Sequence, residues 1–395
     1  MQIPPPQSQH TPHFDAPPPL ALYVHIPWCV RKCPYCDFNS HEAREGIPED
    51  AYIDALTRDL EATLPDVWGR RVQSIFFGGG TPSLFSAAAL DRLITMLRTL
   101  LPVEPLAEIT LEANPGTFEI EKFRGFRAAG VNRLSIGIQS FNSTHLKSLG
   151  RIHDDNEARH AVDIALETFD NVNLDLMYAL PDQTIKQAIA DIDIARGYGA
   201  QHLSAYHLTL EPNTLFHAHP PPLPDDDIAA TMQIEIEARL ADSGYEHYET
   251  SAFAQKHHAC LHNLNYWHFG DYLGIGAGAH SKLTATDRVT RSMRFKQPKS
   301  YMTQALAGNA VQEKHEIAAQ EMGFEFMMNA LRLNAGFPLA LFQTRTGLPL
   351  NVIERPLQAA EARGLIARDL THILPTPLGQ RFLNDLLEIF LQSPK

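Results

Sequence analysis

Short apolar runs alternate with amphipathic segments through the first half of the chain. Six runs have the length and apolar content of buried strands, and they cover residues 21–26, 72–77, 108–113, 133–138, 172–179 and 202–209. Five segments with apolar residues at helical spacing lie between them, at residues 48–64, 86–100, 119–129, 154–168 and 184–198. Helix start signals agree with this division, because Ser86 suits an N-cap and Thr184 with Gln187 fits a capping box.

This alternation predicts an α/β fold. Strands that are each followed by a helix pair in parallel through right-handed crossovers. We expect a partial (β/α)6 barrel, in which side chains that perform chemistry collect at the carboxyl ends of the strands.

The rest of the chain follows other patterns. We expect three units: a disordered Pro-rich tail at 1–19, the barrel domain with a Gly-rich aromatic segment at 20–300, and a helical domain at 301–395. The last unit combines a helix over 352–364, a hairpin over 366–374 and an apolar helix over 377–391, an order that resembles a winged helix.

Charge and composition limit the function. The chain of 395 residues carries 33 Lys and Arg against 46 Asp and Glu, a net charge of -13, which argues against nucleic acid as a partner. Residues 339–395 hold six Lys and Arg against five Asp and Glu, so a DNA-reading wing is also disfavoured. There is no secretory signal, no apolar run near the ~20 residues of a membrane span, and four cysteines are too few for a disulfide scaffold. These features predict a cytoplasmic protein.

Three of the four cysteines are clustered directly after the first predicted strand. Cys29, Cys33 and Cys36 form a C-x3-C-x2-C pattern, and thiolates at such spacing select an iron–sulfur cluster or zinc. Zinc would take His25 or His41 as its fourth ligand. In a four-iron cluster, three thiolates leave one iron open to a further ligand.

Polar and glycine residues recur at the ends of the following strands. The sequence Gly78-Gly79-Gly80-Thr81-Pro82 follows the second strand, where glycines allow a ligand to approach the backbone. The other such residues are Glu112, Gln139, Arg151 and Asp175. Each of these residues alone is weak evidence for a site. Their recurrence at one edge of a parallel sheet predicts a ligand site there.

Six segments together resemble one subfamily of the radical S-adenosylmethionine (SAM) superfamily, the HemN/HemW subfamily. They are YVHIPWCVRKCPYCDF, FFGGGTPS, EANPG, RLSIGIQSF, GRIH and NLDLMYALPDQT. The resemblance covers roughly residues 20–390. It implies a [4Fe-4S] cluster on the three cysteines and a SAM that chelates the fourth iron, whose reductive cleavage gives a 5′-deoxyadenosyl radical.

The same resemblance implies which residues contact SAM. The SAM on the cluster would contact Tyr23, Gly79 and Glu112. The positions that line a second SAM site in the dehydrogenases of the subfamily are Tyr35, Gly80, Thr81, Gln139, Arg151 and Asp175.

Two features separate the branches of this subfamily. Dehydrogenases that oxidise coproporphyrinogen III carry a further cysteine two positions after the third, where this chain has Phe38. The segment from His262 to Trp267, HNLNYW, matches the H-N-x-x-Y-W motif associated with heme binding in the chaperone branch. The resemblance therefore implies heme contacts from His262, Asn263, Tyr266 and Trp267. Three neighbouring histidines could instead supply the axial ligand: His257, His258 and His268.

The resemblance favours a heme chaperone that binds the cluster, SAM and heme and passes heme to the apo forms of heme-dependent respiratory enzymes. Its relatives associate with the membrane peripherally or dimerise, and the sequence leaves monomer, homodimer and membrane association open. Whether the chain is also an enzyme stays open. The main alternative is an oxygen-independent coproporphyrinogen III dehydrogenase, and a winged-helix regulator with a redox-sensing cluster is a third. Cys260 remains unassigned, and a free buried thiol is the simpler interpretation.

Overall fold

Residues 11–117 and 120–391 are described by the computed structural model, and twelve of their strands form one central sheet. In chain order these strands are β1 (Leu20–Ile26), β2 (Val72–Gly79), β3 (Val103–Ala113), β4 (Arg133–Gln139), β5 (Val172–Tyr178), β6 (His202–His207), β7 (Glu246–Glu249), β8 (Ala252–Ala254), β9 (Asp271–Ile275), β10 (His280–Thr284), β11 (Val289–Arg294) and β12 (Val311–Glu316). Their order across the sheet is β12-β11-β10-β9-β1-β2-β3-β4-β5-β6-β8-β7.

The strands β1 to β6 pair in parallel, each with the next, and confirm the six predicted strands. The helices that connect them are α1 (Glu49–Val67), α2 (Ala87–Leu100), α3 (Ile120–Ala129), α4 (Asp155–Thr168) and α5 (Ile185–Gly197). The sheet does not close, because its outer strands are β12 and β7. The fold is therefore the predicted α/β partial barrel, with β9 adding a seventh parallel strand beside β1.

Alternation along the strands separates a helix-covered face from an inner face. In β4, Leu134, Ile136 and Ile138 belong to the main apolar core, whereas the alternate positions from Arg133 to Gln139 border a cavity. The predicted helix starts are present: Ser86 accepts from the amide of Ala89, and Thr184 forms a capping box with Gln187. The barrel therefore presents polar side chains inward and apolar ones to its helices.

The strands β7 to β12 lie outside the sequence prediction. The pair β7 and β8 extends the sheet beyond β6, while β10, β11 and β12 extend it beyond β9 in antiparallel fashion. Helix α6 (Asp226–Ala241) precedes β7, and α7 (Leu261–Trp267) and α8 (Pro298–Leu306) lie between the later strands. Every residue of β12 is exposed, so it carries no alternation of apolar and polar positions. The sheet thus continues past residue 300, where we expected the barrel domain to end.

A second apolar core lies in the C-terminal part of the chain. It is enclosed by helices α9 (Met322–Ala330), α10 (Leu339–Thr346), α11 (Glu354–Ala362), α12 (Pro377–Arg381) and α13 (Leu383–Glu388). The predicted hairpin is present as Ile366–Arg368 and His372–Pro375, and it pairs with Phe337–Pro338. The helix predicted over 377–391 is interrupted at Phe382, whose backbone leaves the helical conformation (φ -111°, ψ 47°).

The N-terminal tail needs a correction. Residues 1–10 of the predicted disordered tail lie outside the described residues, but residues 13–19 are fixed against the protein. Phe14 is 6 % exposed within the second core, and its amide donates to the carbonyl of Thr286. Pro18 accepts from Arg70. One buried aromatic ring therefore orders a segment whose proline content predicted disorder.

Within the described ranges, no helix combines the length and apolar character that crossing a bilayer requires.

Candidate functional site

The cysteine loop follows β1 and is closed by backbone pairing. Cys29 ends the short strand Trp28–Cys29, which pairs in parallel with His41–Glu42. The Cys36 amide donates to the carbonyl of Cys33 at 3.2 Å, which turns the chain between them. All three cysteines are free thiols and border one cavity. The loop therefore brings three soft sulfur ligands to the cavity mouth, as an iron–sulfur cluster requires.

The zinc alternative finds less support in the side chains around this loop. Both ring nitrogens of His25 are engaged, one with the hydroxyl of Tyr23 at 3.0 Å and one with the carbonyl of Asn39 at 2.9 Å. His41 Nε2 lies 3.2 Å from the side-chain oxygen of Asn39. Among residues 11–117 and 120–391, no three His, Cys, Asp or Glu side chains converge as ligands of a single ion. A cluster needs no such convergence, because each iron takes its own thiolate.

Burial controls the protonation of the thiols. It raises the pKa of Cys29 to about 11, and it also raises the pKa of Cys36. Both thiols therefore hold their protons at neutral pH, and iron would displace those protons on binding.

The turn after β2 requires glycine at two positions. Gly79 has a φ of +117°, and a Cβ there would lie 2.6 Å from the ring of His25. A Cβ on Gly80 would lie 2.4 Å from the carbonyl oxygen of Trp28. The amides of Gly80 and Thr81 donate to the carbonyls of Ile26 and Trp28. The glycines therefore allow this turn to lie directly against the start of the cysteine loop, as a cofactor cradle requires.

Glu112 ends β3 beside this turn. Its Oε2 accepts from the Gly79 amide at 3.1 Å. Burial, reinforced by the nearby charge of Asp175, raises the pKa of Glu112 to about 8, and the Gly79 hydrogen bond opposes this only in part. A carboxyl group held in this way suits hydrogen bonding to a ribose hydroxyl. Tyr23, the third residue expected at this SAM, lies two positions before His25 on β1 and bonds to it.

Arg151 connects the residues expected at the second SAM site. Its Nη2 donates to the side-chain oxygen of Asn114 at 2.5 Å and to the carbonyl of Gly137 at 2.8 Å, and its Nη1 lies 3.7 Å from the Cys33 sulfur. Asn114 donates in turn to Thr81 at 2.8 Å. The Nε of Arg151 is buried without a partner, so the site has a cationic donor to offer an anionic ligand.

The remaining predicted residues of this group border the same cavity. Gln139 has a φ of 68°, a left-handed conformation that is costly for a residue other than glycine. Asp175 accepts from Ser135 at 2.9 Å and from Asn173 at 2.8 Å, and burial raises its pKa despite these hydrogen bonds. Tyr35 contributes a half-buried ring beside Phe216.

One cavity of about 480 Å³ extends from the cysteine loop into the barrel, a volume typical of a cofactor site. Its base is lined by Arg133, Asn173, His202 and Asn263. Sequence reasoning missed Arg133 and His202. Because side chains alternate along a strand, counting back from Gln139 by twos reaches Arg133, and this signal could have identified it.

The HNLNYW segment forms helix α7 at the base of the barrel. Glu108 of β3 accepts from the amides of Leu261 and His262, both at 3.1 Å, and from the thiol of Cys260 at 3.4 Å. Its carboxylate thereby satisfies the free amides at the start of the helix. Cys260 is accordingly a buried free thiol.

His262 is buried, with 2 % of its surface exposed. Its Nδ1 lies 3.0 Å from the hydroxyl of Ser74, whereas its Nε2 has no hydrogen-bond partner. Burial, with a smaller effect from the charge of Arg133, lowers the pKa of His262 to about 3. The imidazole is therefore neutral, which is the form that binds a metal.

The four motif residues do not share one surface. Asn263 lines the cavity, whereas Tyr266 packs on Tyr272 at 4.4 Å between ring centroids. The Trp267 ring lies beneath the guanidinium of Arg332 at 4.9 Å. The alternative histidines flank the helix: His257 and His258 precede it, and His268 is its C-cap.

Comparison with known proteins agrees with this arrangement. Residues 23–195 match the radical SAM superfamily, and residues 317–382 match the HemN C-terminal domain. The chain is 46% identical over 95% of its length to the heme chaperone HemW of Escherichia coli, covering 98% of that protein. It is 33% identical over 94% of its length to HemW of Bacillus subtilis, covering 99% of it.

A solved structure shows the same fold. The coproporphyrinogen III oxidase HemN from Escherichia coli, a radical SAM enzyme, superposes with a TM-score of 0.81 at 26% identity, over 95% of this chain and 90% of that one. The chain therefore belongs to the radical SAM superfamily and, within it, to the HemW family of heme chaperones.

Proposed function

We propose that this protein is a heme chaperone that holds a [4Fe-4S] cluster, SAM and heme, and passes heme to heme-requiring respiratory proteins. The observation that carries the proposal is a single cavity. At its mouth lie the three cysteines, and at its base lies Asn263 of the helix that bears the heme motif. The cysteines and one residue of the heme motif, Asn263, therefore border the same cavity.

In this proposal, Cys29, Cys33 and Cys36 hold the cluster. Gly79 and Glu112 would hold SAM, Glu112 by accepting a hydrogen bond from a ribose hydroxyl. When bound, the cluster and SAM supply one-electron chemistry. The residues of the chain exclude water and orient the ligands, and Arg151 offers its free Nε to an anionic group.

For heme, His262 would bind the iron through its Nε2, which is unpartnered among the described residues. The cavity bordered by Asn263 would hold the ring. Tyr266 and Trp267 act by fixing helix α7 against Tyr272 and Arg332. This assigns the two aromatic residues a positioning role.

Phe38 favours this function over coproporphyrinogen III oxidation. Its side chain is 58 % exposed at the mouth of the cavity, at the position where the dehydrogenases carry their additional cysteine. An apolar side chain there cannot bind iron or act as a thiol.

The first test is heme titration of the anaerobically reconstituted protein, followed by its absorption spectrum. We expect saturable binding that weakens about tenfold or more in His262→Ala, since losing an axial ligand removes at least 1.4 kcal/mol of binding. His257→Ala is the matched control and should bind as the wild type does. Unchanged affinity and spectrum in His262→Ala would remove His262 from the proposal.

The second test separates chaperone from oxidase. Reduced protein is incubated anaerobically with SAM and coproporphyrinogen III, and also, after heme loading, with a heme-free respiratory enzyme. We expect heme transfer, seen as recovery of the recipient's spectrum, without formation of protoporphyrinogen. Appreciable protoporphyrinogen would instead establish the oxidase function.

A further inference from the structure

Arg133 is a buried cation at the base of the cavity, opposite the cysteine loop. It begins β4, is 2 % exposed, and yet borders the cavity. Among residues 11–117 and 120–391, its Nε has no hydrogen-bond partner. In the part of the chain that the structure describes, no carboxylate forms an ion pair with it, whereas the buried cations Arg294 and Lys282 pair with Asp59 and Asp271.

The carboxylates near Arg133 are already engaged with other groups. Glu108 accepts from the start of helix α7, at the amides of Leu261 and His262. Asp175 accepts from Ser135 and Asn173. Both act on Arg133 only as nearby charges. Because a buried guanidinium without a direct partner is costly, its position on a cavity wall indicates a site for an anion.

The depth of Arg133 limits what that anion can be. Arg151 marks the cofactor end of the cavity, since it bonds to the carbonyl of Gly137 and contacts Cys33. Four residues of strand separate Gly137 from Arg133, a distance of about 13 Å at ~3.3 Å per residue. Arg133 therefore lies at the other end of β4 from the contact of Arg151 with Gly137. A ligand with an anionic group at one end can contact Arg133 and, if it is long enough, also extend to the cofactor end of the cavity.

We propose that Arg133 binds a propionate carboxylate of the tetrapyrrole and so fixes the orientation of the ring in the cavity. This rests on the proposed function, because it assumes that heme enters the cavity. A guanidinium binds a carboxylate through two parallel hydrogen bonds, so the contact adds direction as well as affinity. Asn173, His202 and Asn263 supply the polar surroundings of the same floor.

The test compares heme with heme dimethyl ester, in which both propionates are uncharged, in one detergent-containing buffer. We expect the wild type to bind the diester about 10- to 100-fold more weakly than heme, the range expected for loss of a hydrogen-bonded charge. Arg133→Gln should bind both ligands with the same, similarly reduced affinity. Arg133→Lys should keep part of the preference for heme. Arg31→Gln, which removes an exposed cation at the mouth of the same cavity, should behave as the wild type.

Each failure has its own signature. If the wild type does not bind heme, the proposed function fails. If it binds heme and its diester equally, or if Arg133→Gln keeps the preference for heme, the function stands but Arg133 is not the anchor. If Arg133→Gln loses affinity for SAM in equilibrium dialysis while heme binding is unchanged, the carboxylate belongs to a SAM molecule and the proposal is wrong. Should Arg133→Gln fail to fold, the wild-type comparison of the two ligands and Arg133→Lys still decide the outcome.

Discussion

The two ends of the cavity are built in opposite ways. At the mouth, the Cys33 sulfur has one long contact with Arg151, and Phe38 beside it is 58 % exposed. At the base, Glu108 has three donors from one turn of chain, and His262 above it is 2 % exposed. Side chains at the mouth are free to exchange their partners for a cofactor, whereas those at the base already hold the fold together.

This difference predicts that ligand binding and stability separate along the cavity. Substitutions at the mouth should remove the cluster or SAM without destabilising the apo protein. Substitutions of the side chains that hold the base together should destabilise the apo protein while the cluster is kept. The four predictions below test this division, in decreasing order of expected effect.

Cys33→Ala should abolish the cluster. We expect about four iron and four sulfide per chain in the reconstituted wild type and none in the variant, because three thiolates are the minimum ligand set at this site. The apo protein should unfold within about 1 kcal/mol of the wild type, since the half-buried thiol loses only weak sulfur contacts, with Arg151 and with Tyr35. Iron and sulfide analysis with urea unfolding measures both. Cys260→Ala is the control and should keep the cluster; stoichiometric zinc instead of iron would contradict the cluster assignment.

Glu108→Gln should destabilise the protein by about 3 kcal/mol, because a buried carboxylate that accepts three hydrogen bonds and lies near Arg133 is replaced by a neutral amide. Urea unfolding of the apo protein measures the loss, and reconstitution should still give a full cluster. Glu104→Gln, on the same strand and without these contacts, should change stability by about 0.5 kcal/mol or less. If Glu108→Gln loses the cluster while its stability is unchanged, Glu108 acts in cofactor binding and not in holding the base together.

The sequence predicted the mouth far better than the base. The cysteine spacing and the glycine turn are local patterns, so the residues that border the mouth could be named in advance. The base depends on contacts between distant segments: Glu108 and His262 are 154 positions apart. Alternation along β4 points to Arg133, but nothing local distinguishes Glu108 from a polar residue at the exposed start of a strand, and the cavity that Arg133 borders appears only on folding.

The prediction of the fold was limited in the same way, because it recognised local patterns but not long-range contacts. The strands β1 to β6 were predicted because each is a short run rich in apolar residues that is followed by a helical segment. The antiparallel extension was missed because its strands are polar, as with the exposed β12, and the parallel strand β9 was missed because its run is short and contains Gly274. The register of the extension is set by neighbouring strands rather than by its own composition. The burial of Phe14 was missed because a single aromatic residue gives no periodicity.

Glu112→Gln should remove SAM binding and yet stabilise the apo protein, by about 2 kcal/mol at pH 6. The pKa of Glu112 is raised from 4.5 to about 8 on folding. Between these values the unfolded chain releases a proton that the folded chain keeps, so wild-type stability falls as pH rises through this window. The advantage of the variant should therefore be absent below pH 4.5, grow up to pH 8 and then level off.

Thermal unfolding between pH 4 and pH 9 and equilibrium dialysis with SAM measure these two effects of Glu112→Gln. Glu121, which forms an exposed ion pair with Arg124, provides the control. Glu121→Gln should change neither stability nor SAM binding by much. A stability difference that does not change with pH would show that Glu112 does not hold its proton in the folded state.

The smallest effects should come from two buried hydroxyls on neighbouring strands near the base. Ser74→Ala removes the hydrogen bond to Nδ1 of His262, whose Nε2 has no partner among the described residues, so we expect a loss of about 1 kcal/mol. Thr110→Val removes a buried hydroxyl that has no partner, so stability should stay the same or rise by about 1 kcal/mol. Urea unfolding of both apo variants measures the contrast. Equal losses would show that packing volume, rather than hydrogen bonding, governs the base of the barrel.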